Sequence, residues 1–236
     1  MVIFHFWRSW LRKLSTASLG FVLLLSARAE TIFIHTGHIQ HRSLSPLDIN
    51  GHFWNRIGTW GRVDDVQLKD QEGYPSALVW TTESRFAFHC SADSSLATEG
   101  YPEFVSGAGY LLAPNELIGN QGSFGNAEVI IQGAEPAKLY NFTFYGNRMD
   151  GFKGELALYV VIEGKERYSQ TLFIPLEEPS DVKMDIPNVI PDADGRLVLQ
   201  FSVPEGYRRG VLNAITITSS SLTPESKLEK VNTNTK

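Results

Sequence analysis

The fold of this chain is decided by the stretch Lys138-Leu-Tyr-Asn-Phe-Thr-Phe-Tyr-Gly-Asn-Arg-Met-Asp-Gly151. Its first half alternates strictly, so that Tyr140, Phe142 and Phe144 face one side of an extended chain. Alternation with a period of two, in aromatic and β-branched residues, is typical of a half-buried strand. We therefore predict a strand over residues 139–145. It ends at a polar loop that carries an amide and a guanidinium, a favourable place for a site.

The same kind of pattern recurs on both sides of this strand. Apolar or alternating runs, separated by Gly, Pro, Asn and Asp, predict about ten short strands, and no segment has a convincing helical period. The pattern predicts an all-β protein, an antiparallel β-sandwich of the jelly-roll type with long loops. The further strands are expected at residues 31–35, 77–81, 85–89, 127–132, 156–162, 167–174, 182–189, 197–203 and 211–218, and residues 66–73 are expected to form a short strand and a turn.

Some of these strands carry a more specific expectation. Residues 77–81 and 85–89 are predicted to pair as a hairpin across a three-residue turn. The nearly continuous apolar run at 156–162 fits a central strand. Pro187 has no N–H to donate to a ladder, so it predicts that residues 182–189 lie at a sheet edge or contain a bulge.

The start of the chain predicts export. Arg8, Arg12 and Lys13 form a positively charged beginning, and a short apolar run follows at 14–25. Ala27-Arg28-Ala29 then has the small-x-small form that signal peptidase needs, which predicts cleavage after Ala29. The alternative is an uncleaved membrane anchor, but the run is shorter than the roughly 20 residues of a spanning helix.

The domain organisation follows from these observations. We predict a signal peptide at residues 1–29 and one β-sandwich domain at 30–218. The tail at 219–236 has almost no apolar residues and is predicted to be disordered. The protein is therefore expected to be secreted or periplasmic, or at the cell surface, with no membrane span after signal cleavage.

Charge excludes some partners. The chain has 21 basic and 26 acidic residues, and four of the basic ones lie within residues 1–29. The processed chain would then have 17 basic against 26 acidic residues, a net charge of −9. An acidic protein of this kind is not expected to bind nucleic acid or an anionic membrane. Cys90 is the only cysteine, which excludes an intramolecular disulfide.

Five short motifs follow one another along residues 30–218. They are Ile34-His35-Thr36-Gly37, Trp54-Asn55, Glu135-Pro136 followed by Tyr140 and Gly146-Asn147-Arg148, Pro191-Asp-Ala-Asp-Gly195, and Leu212-Asn-Ala-Ile-Thr-Ile217. Their order resembles the galactose-binding-domain-like β-sandwiches of bacterial secreted proteins, which include carbohydrate-binding modules and malectin-like domains. The resemblance implies a jelly-roll sandwich. It does not imply one activity, because this fold serves sugar binding, adhesion and structural roles.

Aromatic and polar residues around these motifs are the candidate ligand-binding residues. Sugar rings stack on aromatic side chains, and amide and guanidinium groups hydrogen-bond sugar hydroxyls. The alternative is structural, with the tryptophans fastening a long loop to the sheet and the polar groups paired in a buried network. The candidates are Trp54, Asn55, Trp60, Tyr145, Asn147, Arg148 and Asn213.

Asp192 and Asp194 are the candidate metal ligands. Calcium prefers carboxylate and carbonyl oxygens from loops, so a structural calcium ion is one interpretation. The sequence Asp-x-Asp-Gly is also a common β-turn, which needs no ion. No other cofactor is expected.

Function is indicated only as a preference for binding over catalysis. The sequence contains no Gly-x-Ser-x-Gly elbow and no evident catalytic triad. The main hypothesis is a secreted, non-catalytic protein of the carbohydrate-binding-module type that recognises a cell-surface polysaccharide through its end loops. One alternative is a structural or adhesive module, whose protein partner would dock on an exposed apolar patch. Another is a hydrolase, which would need a pocket with two carboxylates, one with a raised pKa.

Overall fold

The protein is described from a computed structural model, over residues 29–36, 46–57, 63–84, 86, 88–91, 108–114, 125–146, 154–175 and 182–221. Within these ranges the chain forms strands and turns and no helix. The strands are β1 Thr31–His35, β2 Trp54–Arg56, β3 Val66–Lys69, β4 Pro75–Ser84, β5 Phe88–Ser91, β6 Ala108–Leu112, β7 Asn126–Gln132, β8 Lys138–Gly146, β9 Leu156–Glu163, β10 Arg167–Ile174, β11 Val182–Val189, β12 Leu197–Ser202, β13 Gly210–Leu212 and β14 Ala214–Ser221.

Two large sheets form a β-sandwich. The first has five strands in the order β11-β8-β14-β1-β2, and the second has six in the order β10-β9-β12-β7-β4-β3. A small sheet, β13-β6-β5, adds to them. The described pairings are antiparallel except that of β1 with β2, which is parallel. The prediction of an all-β sandwich is therefore confirmed.

The core lies between the two sheets and follows from the alternation of their strands. Phe142 and Phe144 of β8 face inward, where Phe144 meets Phe201 of β12 edge to face, with ring centroids 6.1 Å apart. The neighbouring β14 contributes Ile215 and Ile217 to the same layer. Each of these side chains is at most 1% exposed. Burial of such side chains is the main favourable contribution to folding.

The register of β8 defines the two ends of the sandwich. Its first residue, Lys138, pairs with Ser221 at the end of β14, while Tyr145 pairs with Ala214 at the start of β14. We call these the Lys138 end and the Gly146 end. β1 begins at the Lys138 end and stops at the Gly146 end, since Thr31 pairs with Thr218 and His35 with Ala214.

Three turns share the pattern Asp-x-x-Gly, and they start at Asp48, Asp70 and Asp192. In each, the aspartate Oδ1 accepts hydrogen bonds from the N–H groups two and four residues later, at 2.8–3.0 Å. The glycine has φ of 80°, 87° and 73° respectively, and its N–H donates to the carbonyl of the aspartate. This left-handed conformation is why the fourth position is glycine. We call these the Asp-Gly turns.

Several strand predictions are confirmed, and one pairing is wrong. The central position of residues 156–162 is confirmed, because β9 lies between β10 and β12. Pro187 lies in edge strand β11, whose register with β8 shifts between Ile186 and Val189. The hairpin of 77–81 with 85–89 is wrong. β4 pairs with β3 and β7, which occupy both of its edges, and β5 pairs with β6 instead.

Two further observations concern the ends of the chain. β14 continues to Ser221, three residues beyond the predicted domain boundary at 218, and Ser219 is 3% exposed. None of the described ranges contains a helix long and apolar enough to cross a membrane.

Candidate functional site

The predicted ligand site lies mostly at the Gly146 end, where several strand ends are joined by backbone hydrogen bonds. The Ile57 N–H donates to the His35 carbonyl at 3.0 Å. The Thr36 N–H donates to the Asn213 carbonyl at 3.0 Å, and the Asn213 N–H donates to the Tyr145 carbonyl at 2.8 Å. These contacts hold the ends of β1, β2 and β8 beside the start of β14. The structure thus brings together the chain segments that carry the sequence motifs beginning at Ile34, Trp54 and Leu212 and the end of the strand at 138–146.

Trp54 is buried and fastens a turn to the sheet. Its side chain is 2% exposed, and its ring stacks on Phe33 with centroids 4.9 Å apart. Its indole N–H donates to Asp48 Oδ2 at 3.1 Å. Together with Tyr145 and Ala214 it forms a small apolar cluster on the outer side of the five-stranded sheet. This is the geometry of the structural alternative, in which the tryptophan secures the loop.

Asp48 supplies the carboxylate at the centre of that fastening. It is 7% exposed in its side chain, and Oδ2 also lies 3.3 Å from His52 Nδ1. Burial by itself raises the pKa of Asp48. The hydrogen bonds from His52, Trp54 and Asn50 lower this pKa, and because their combined effect is larger, the net shift is downward. This role of Asp48 could not be predicted from the sequence, because a turn separates Asp48 from Trp54.

Tyr145 and Asn213 are fully buried, at 0% exposure each. Thr36 reinforces this region by donating its hydroxyl to the Leu212 carbonyl at 2.5 Å. Side chains shielded in this way support a surface and hold it in place. The ligand-binding roles predicted for Tyr145 and Asn213 stay predictions, and the packing describes them as the support of the Gly146 end.

Asn55 points away from this cluster and joins the two sheets. Its amide nitrogen donates to the carbonyls of Phe33 and Lys69, at 3.0 and 2.7 Å. Its amide oxygen accepts from the Lys69 N–H at 2.8 Å. The side chain is 93% shielded, so these hydrogen bonds use its polar groups for structure.

Trp60, Asn147 and Arg148 lie outside the described residues. Trp60 follows Ile57 by three positions, and Asn147 and Arg148 follow Gly146 by one and two. Their ligand-binding roles remain predictions.

Asp192 and Asp194, the predicted calcium ligands, lie at the Lys138 end. Asp192 begins an Asp-Gly turn, and its Oδ1 accepts hydrogen bonds from the N–H groups of Asp194 and Arg196. Asp194 is exposed. Nowhere in the described ranges do three or more His, Cys, Asp or Glu side chains group as metal ligands. The turn therefore has the geometry of the ion-free alternative, and calcium binding stays a prediction.

A small cleft at the Lys138 end was not predicted from the sequence. It has a volume of about 190 Å³ and is lined by Ala29, Glu30, Thr31, Asp70, Gln71, Glu72 and Lys138. Burial raises the pKa of Glu30, and the proximity of Asp70 and Glu135 raises it further, while Lys138 lowers it. The lining comes from three separate parts of the chain, so no local motif could have indicated it.

Comparisons with known proteins give similarity at the level of the fold. No family model and no curated protein matches the chain. TmCBM61 in complex with β-1,4-galactotriose is similar with a TM-score of 0.31 and 12% identity, over 62% of this chain and 88% of that one. A CBM35 from Cellvibrio japonicus Abf62 gives 0.29 and 12%, over 62% and 98%.

An F5/8 type C domain from Bacteroides fragilis gives a TM-score of 0.31 and 10% identity, over 61% of this chain and 93% of that one. These proteins are of the kind that the sequence motifs resembled. At these identities and TM-scores, the similarity contributes nothing to the choice of a ligand, which has to be made from the residues of this chain.

Proposed function

We propose that the protein is exported and binds a carbohydrate, such as a cell-surface polysaccharide, without catalysis. The binding surface would be formed by the chain segments that leave the Gly146 end. Trp60 would offer a flat ring for stacking, and Asn147 and Arg148 would hydrogen-bond sugar hydroxyls.

A single observation supports this proposal. Thr36, Ile57 and Gly146, from which three chain segments continue, lie side by side because their strands are joined by the backbone hydrogen bonds at this end. The beginnings of these segments are therefore fixed relative to one another by the sandwich. A rigid support beneath a group of loops is the usual arrangement of a binding surface on a β-sandwich.

Chain length limits how far the candidate residues can lie from this support. Three residues span at most about 11 Å, so Trp60 stays near Ile57. Asn147 is bonded directly to Gly146, and Arg148 follows it. An aromatic ring, an amide and a guanidinium thus follow this end of the sandwich within three residues in sequence, a combination of groups that suits a small polar ligand.

The test is a glycan array with the exported protein, in calcium and again in chelator. Trp60→Ala and Arg148→Ala are expected to weaken glycan binding at least tenfold, roughly the loss of one stacked ring or charged hydrogen bond. Arg167→Ala is the matched control, since Arg167 is 65% exposed at the opposite end. Unchanged binding in both test variants would reject the assigned surface.

A second candidate function is suggested by exposed apolar side chains at the Lys138 end. Four large apolar side chains are exposed in the described ranges, and three of them lie here, namely Leu47 at 47%, Ile49 at 98% and Tyr74 at 66%. They belong to two Asp-Gly turns or their flanks, which are joined by a hydrogen bond from the Phe53 N–H to the Gln71 carbonyl. Such a patch fits a protein partner of an adhesive module.

The adhesive candidate is tested by adhesion of the exported protein to cells from which surface polysaccharide has been removed. Ile49→Ser is expected to reduce adhesion if this patch is the partner face. Phe173→Ser is the control, because Phe173 is also exposed, at 54%. It lies on β10, which is at the opposite edge of the six-stranded sheet from β3. Equal adhesion of both variants would reject the patch.

The cleft at the Lys138 end meets one requirement of the hydrolase alternative, because it holds Glu30, whose pKa is raised, beside Asp70. Asp70 Oδ1, however, already accepts the N–H groups of Glu72 and Tyr74. Turnover of chromogenic glycosides that is lost in Glu30→Gln would favour this function over binding alone.

A further inference from the structure

Glu30, directly before β1, is hydrogen-bonded to β14 through both of its backbone groups. Its carbonyl accepts the Ser219 N–H at 2.9 Å, and its own N–H donates to Ser219 Oγ at 3.4 Å. The next carbonyl, that of Thr31, accepts the Gln71 N–H at 2.8 Å. Ala29, directly before it, is exposed. The nitrogen atom of Glu30 therefore has a defined position beside buried Ser219.

That position adjoins the cleft at the Lys138 end. Three carboxylates line the cleft, those of Glu30, Asp70 and Glu72, and the one cation in the lining is Lys138. Lys138 Nζ lies 2.6 Å from Oε1 of Glu135 and is thus shared with a fourth carboxylate. The cleft carries an excess of negative charge, which a further cation would relieve.

We propose that this cation is the α-ammonium group of Glu30, produced when the targeting segment is removed after Ala29. Hydrolysis breaks the bond between the Ala29 carbonyl carbon and the Glu30 nitrogen. The water oxygen stays on Ala29 as part of a carboxylate, and the nitrogen gains hydrogens to become an ammonium. The nitrogen keeps its place beside Ser219, and its new charge faces Asp70 and Glu72. The first residue of the processed chain is thereby fastened to the sandwich.

The proposal rests on the predicted targeting segment and adds a binding site for the new terminus. It also explains why the chain carries an acidic cleft at the start of β1, where unbalanced carboxylates would otherwise repel one another. The charged side chains that line the cleft are those of Glu30, Asp70, Glu72 and Lys138, and Glu135 acts electrostatically on the Glu30 carboxylate beside them.

The ammonium should titrate abnormally in the folded protein. A free α-amino group has a pKa of about 7.7–8.0, and nearby carboxylates raise it. A raised folded-state pKa gives a stabilisation that is complete below the unfolded value and is lost as the pH rises through the folded value. The relevant window is therefore on the alkaline side of neutrality.

The experiment starts from the full 236-residue chain, expressed for export and purified from the extracellular or periplasmic fraction. Intact mass is expected to show a chain that begins at Glu30. The pH dependence of the rate at which the α-amine reacts with trace acetic anhydride gives its pKa, in the native protein and in urea. We expect a higher midpoint in the native protein.

Two matched variants separate the cleft from the turn. Asp70→Asn and Asp192→Asn both replace the carboxylate oxygen that caps an Asp-Gly turn by an amide oxygen, which can accept the same hydrogen bonds. Only Asp70→Asn removes a charge from the cleft. Asp70→Asn is expected to lower the native midpoint towards the urea value, and Asp192→Asn to leave it unchanged. A chain that begins elsewhere, equal midpoints in native and denatured protein, or the same response in both variants would overturn the proposal. Glycan binding does not enter these measurements, so they are independent of the proposed function.

Discussion

The side chain of Asn55 pairs with the backbone of Lys69 through two hydrogen bonds, and the two residues belong to opposite sheets. The amide of Asn55 thus acts as a single rung of a β-ladder between β2 and β3. A third hydrogen bond, to the Phe33 carbonyl, fixes the same amide to β1. One side chain therefore links the two sheets along this edge, next to the backbone hydrogen bonds that Gln71 makes with Thr31 and Phe53.

Replacement of Asn55 by alanine should destabilise the protein strongly. It would leave the Lys69 N–H and two carbonyls without their present partner in a region where Asn55 is only 7% exposed. Each buried group left unpaired costs roughly 1–3 kcal/mol, so we expect a loss of about 3 kcal/mol after partial relaxation. Urea unfolding followed by tryptophan fluorescence measures it.

Asn55→Asp is the matched variant for this prediction. A carboxylate can still accept the Lys69 N–H, but it has no donor for the two carbonyls and should be at least as destabilising at neutral pH. Protonation restores a donor, so its deficit relative to the wild type should shrink as the pH falls. A deficit below about 1 kcal/mol in both variants would contradict the assigned role.

Asp48→Asn should destabilise the protein at neutral pH and lose its effect in acid. The carboxylate accepts hydrogen bonds from the indole of Trp54 and from His52, and an amide nitrogen in its place would face those donors. We expect a cost of about 2 kcal/mol at pH 7. The pKa of Asp48 is lowered in the folded state, below the reference value of 3.8.

The direction of this pH dependence follows from the lowered pKa. A carboxylate with a depressed folded-state pKa stabilises the protein above its unfolded pKa and stops doing so as the pH falls through the folded value. The wild type should therefore approach the stability of Asp48→Asn below pH 3.8. Asp194→Asn is the control, since Asp194 is exposed. A constant difference between Asp48→Asn and the wild type across this range would contradict the assignment.

Features that depend only on residues adjacent in the chain could be predicted from the sequence, and β8 shows where such prediction stops. Tyr140, Phe142 and Phe144 face the core because alternation is a local property of an extended chain. Tyr145 alternates to the outer side and yet is fully buried, since it packs in a cluster with Trp54 and Ala214. That cluster depends on the sheet order, which joins residues distant in sequence.

Sheet partners and clefts could not be predicted for the same reason. The run at 77–81 predicts a strand, but long-range packing determines that its partners are β3 and β7. The cleft at the Lys138 end joins the start of β1, one Asp-Gly turn and the start of β8. The sequence around Asp192 fits either a turn residue or a metal ligand, and its contacts are those of a turn residue.

Asp192→Ala should reduce stability equally in calcium and in chelator. The mutation removes the oxygen that accepts the N–H groups of Asp194 and Arg196 in an exposed turn, at a cost of about 1 kcal/mol. Thermal unfolding in 2 mM calcium or chelator, a concentration of roughly the extracellular order, measures both conditions. A loss seen only in calcium would assign the carboxylate to an ion and would support the calcium interpretation.

The glycines of the Asp-Gly turns should differ in their tolerance of alanine, although their conformations are alike. Gly51 and Gly195 have φ of 80° and 73°, so alanine at either position pays for a left-handed backbone, about 1–2 kcal/mol. A Cβ at Gly51 would have no atom within 4 Å, whereas at Gly195 it would lie 2.3 Å from the Ala134 carbonyl oxygen. That overlap requires the backbone to shift.

We therefore expect Gly51→Ala to cost only the conformational strain and Gly195→Ala to cost at least about 2 kcal/mol more. Gly73→Ala should lie close to Gly51→Ala, because its Cβ would meet the Phe53 ring at 3.4 Å, which is ordinary contact. Urea unfolding of the three variants under one condition compares them directly. Equal losses at Gly51 and Gly195 would mean that the turn at Asp192 does not pack against the carbonyl of Ala134 in solution, and would place that turn away from the start of β8.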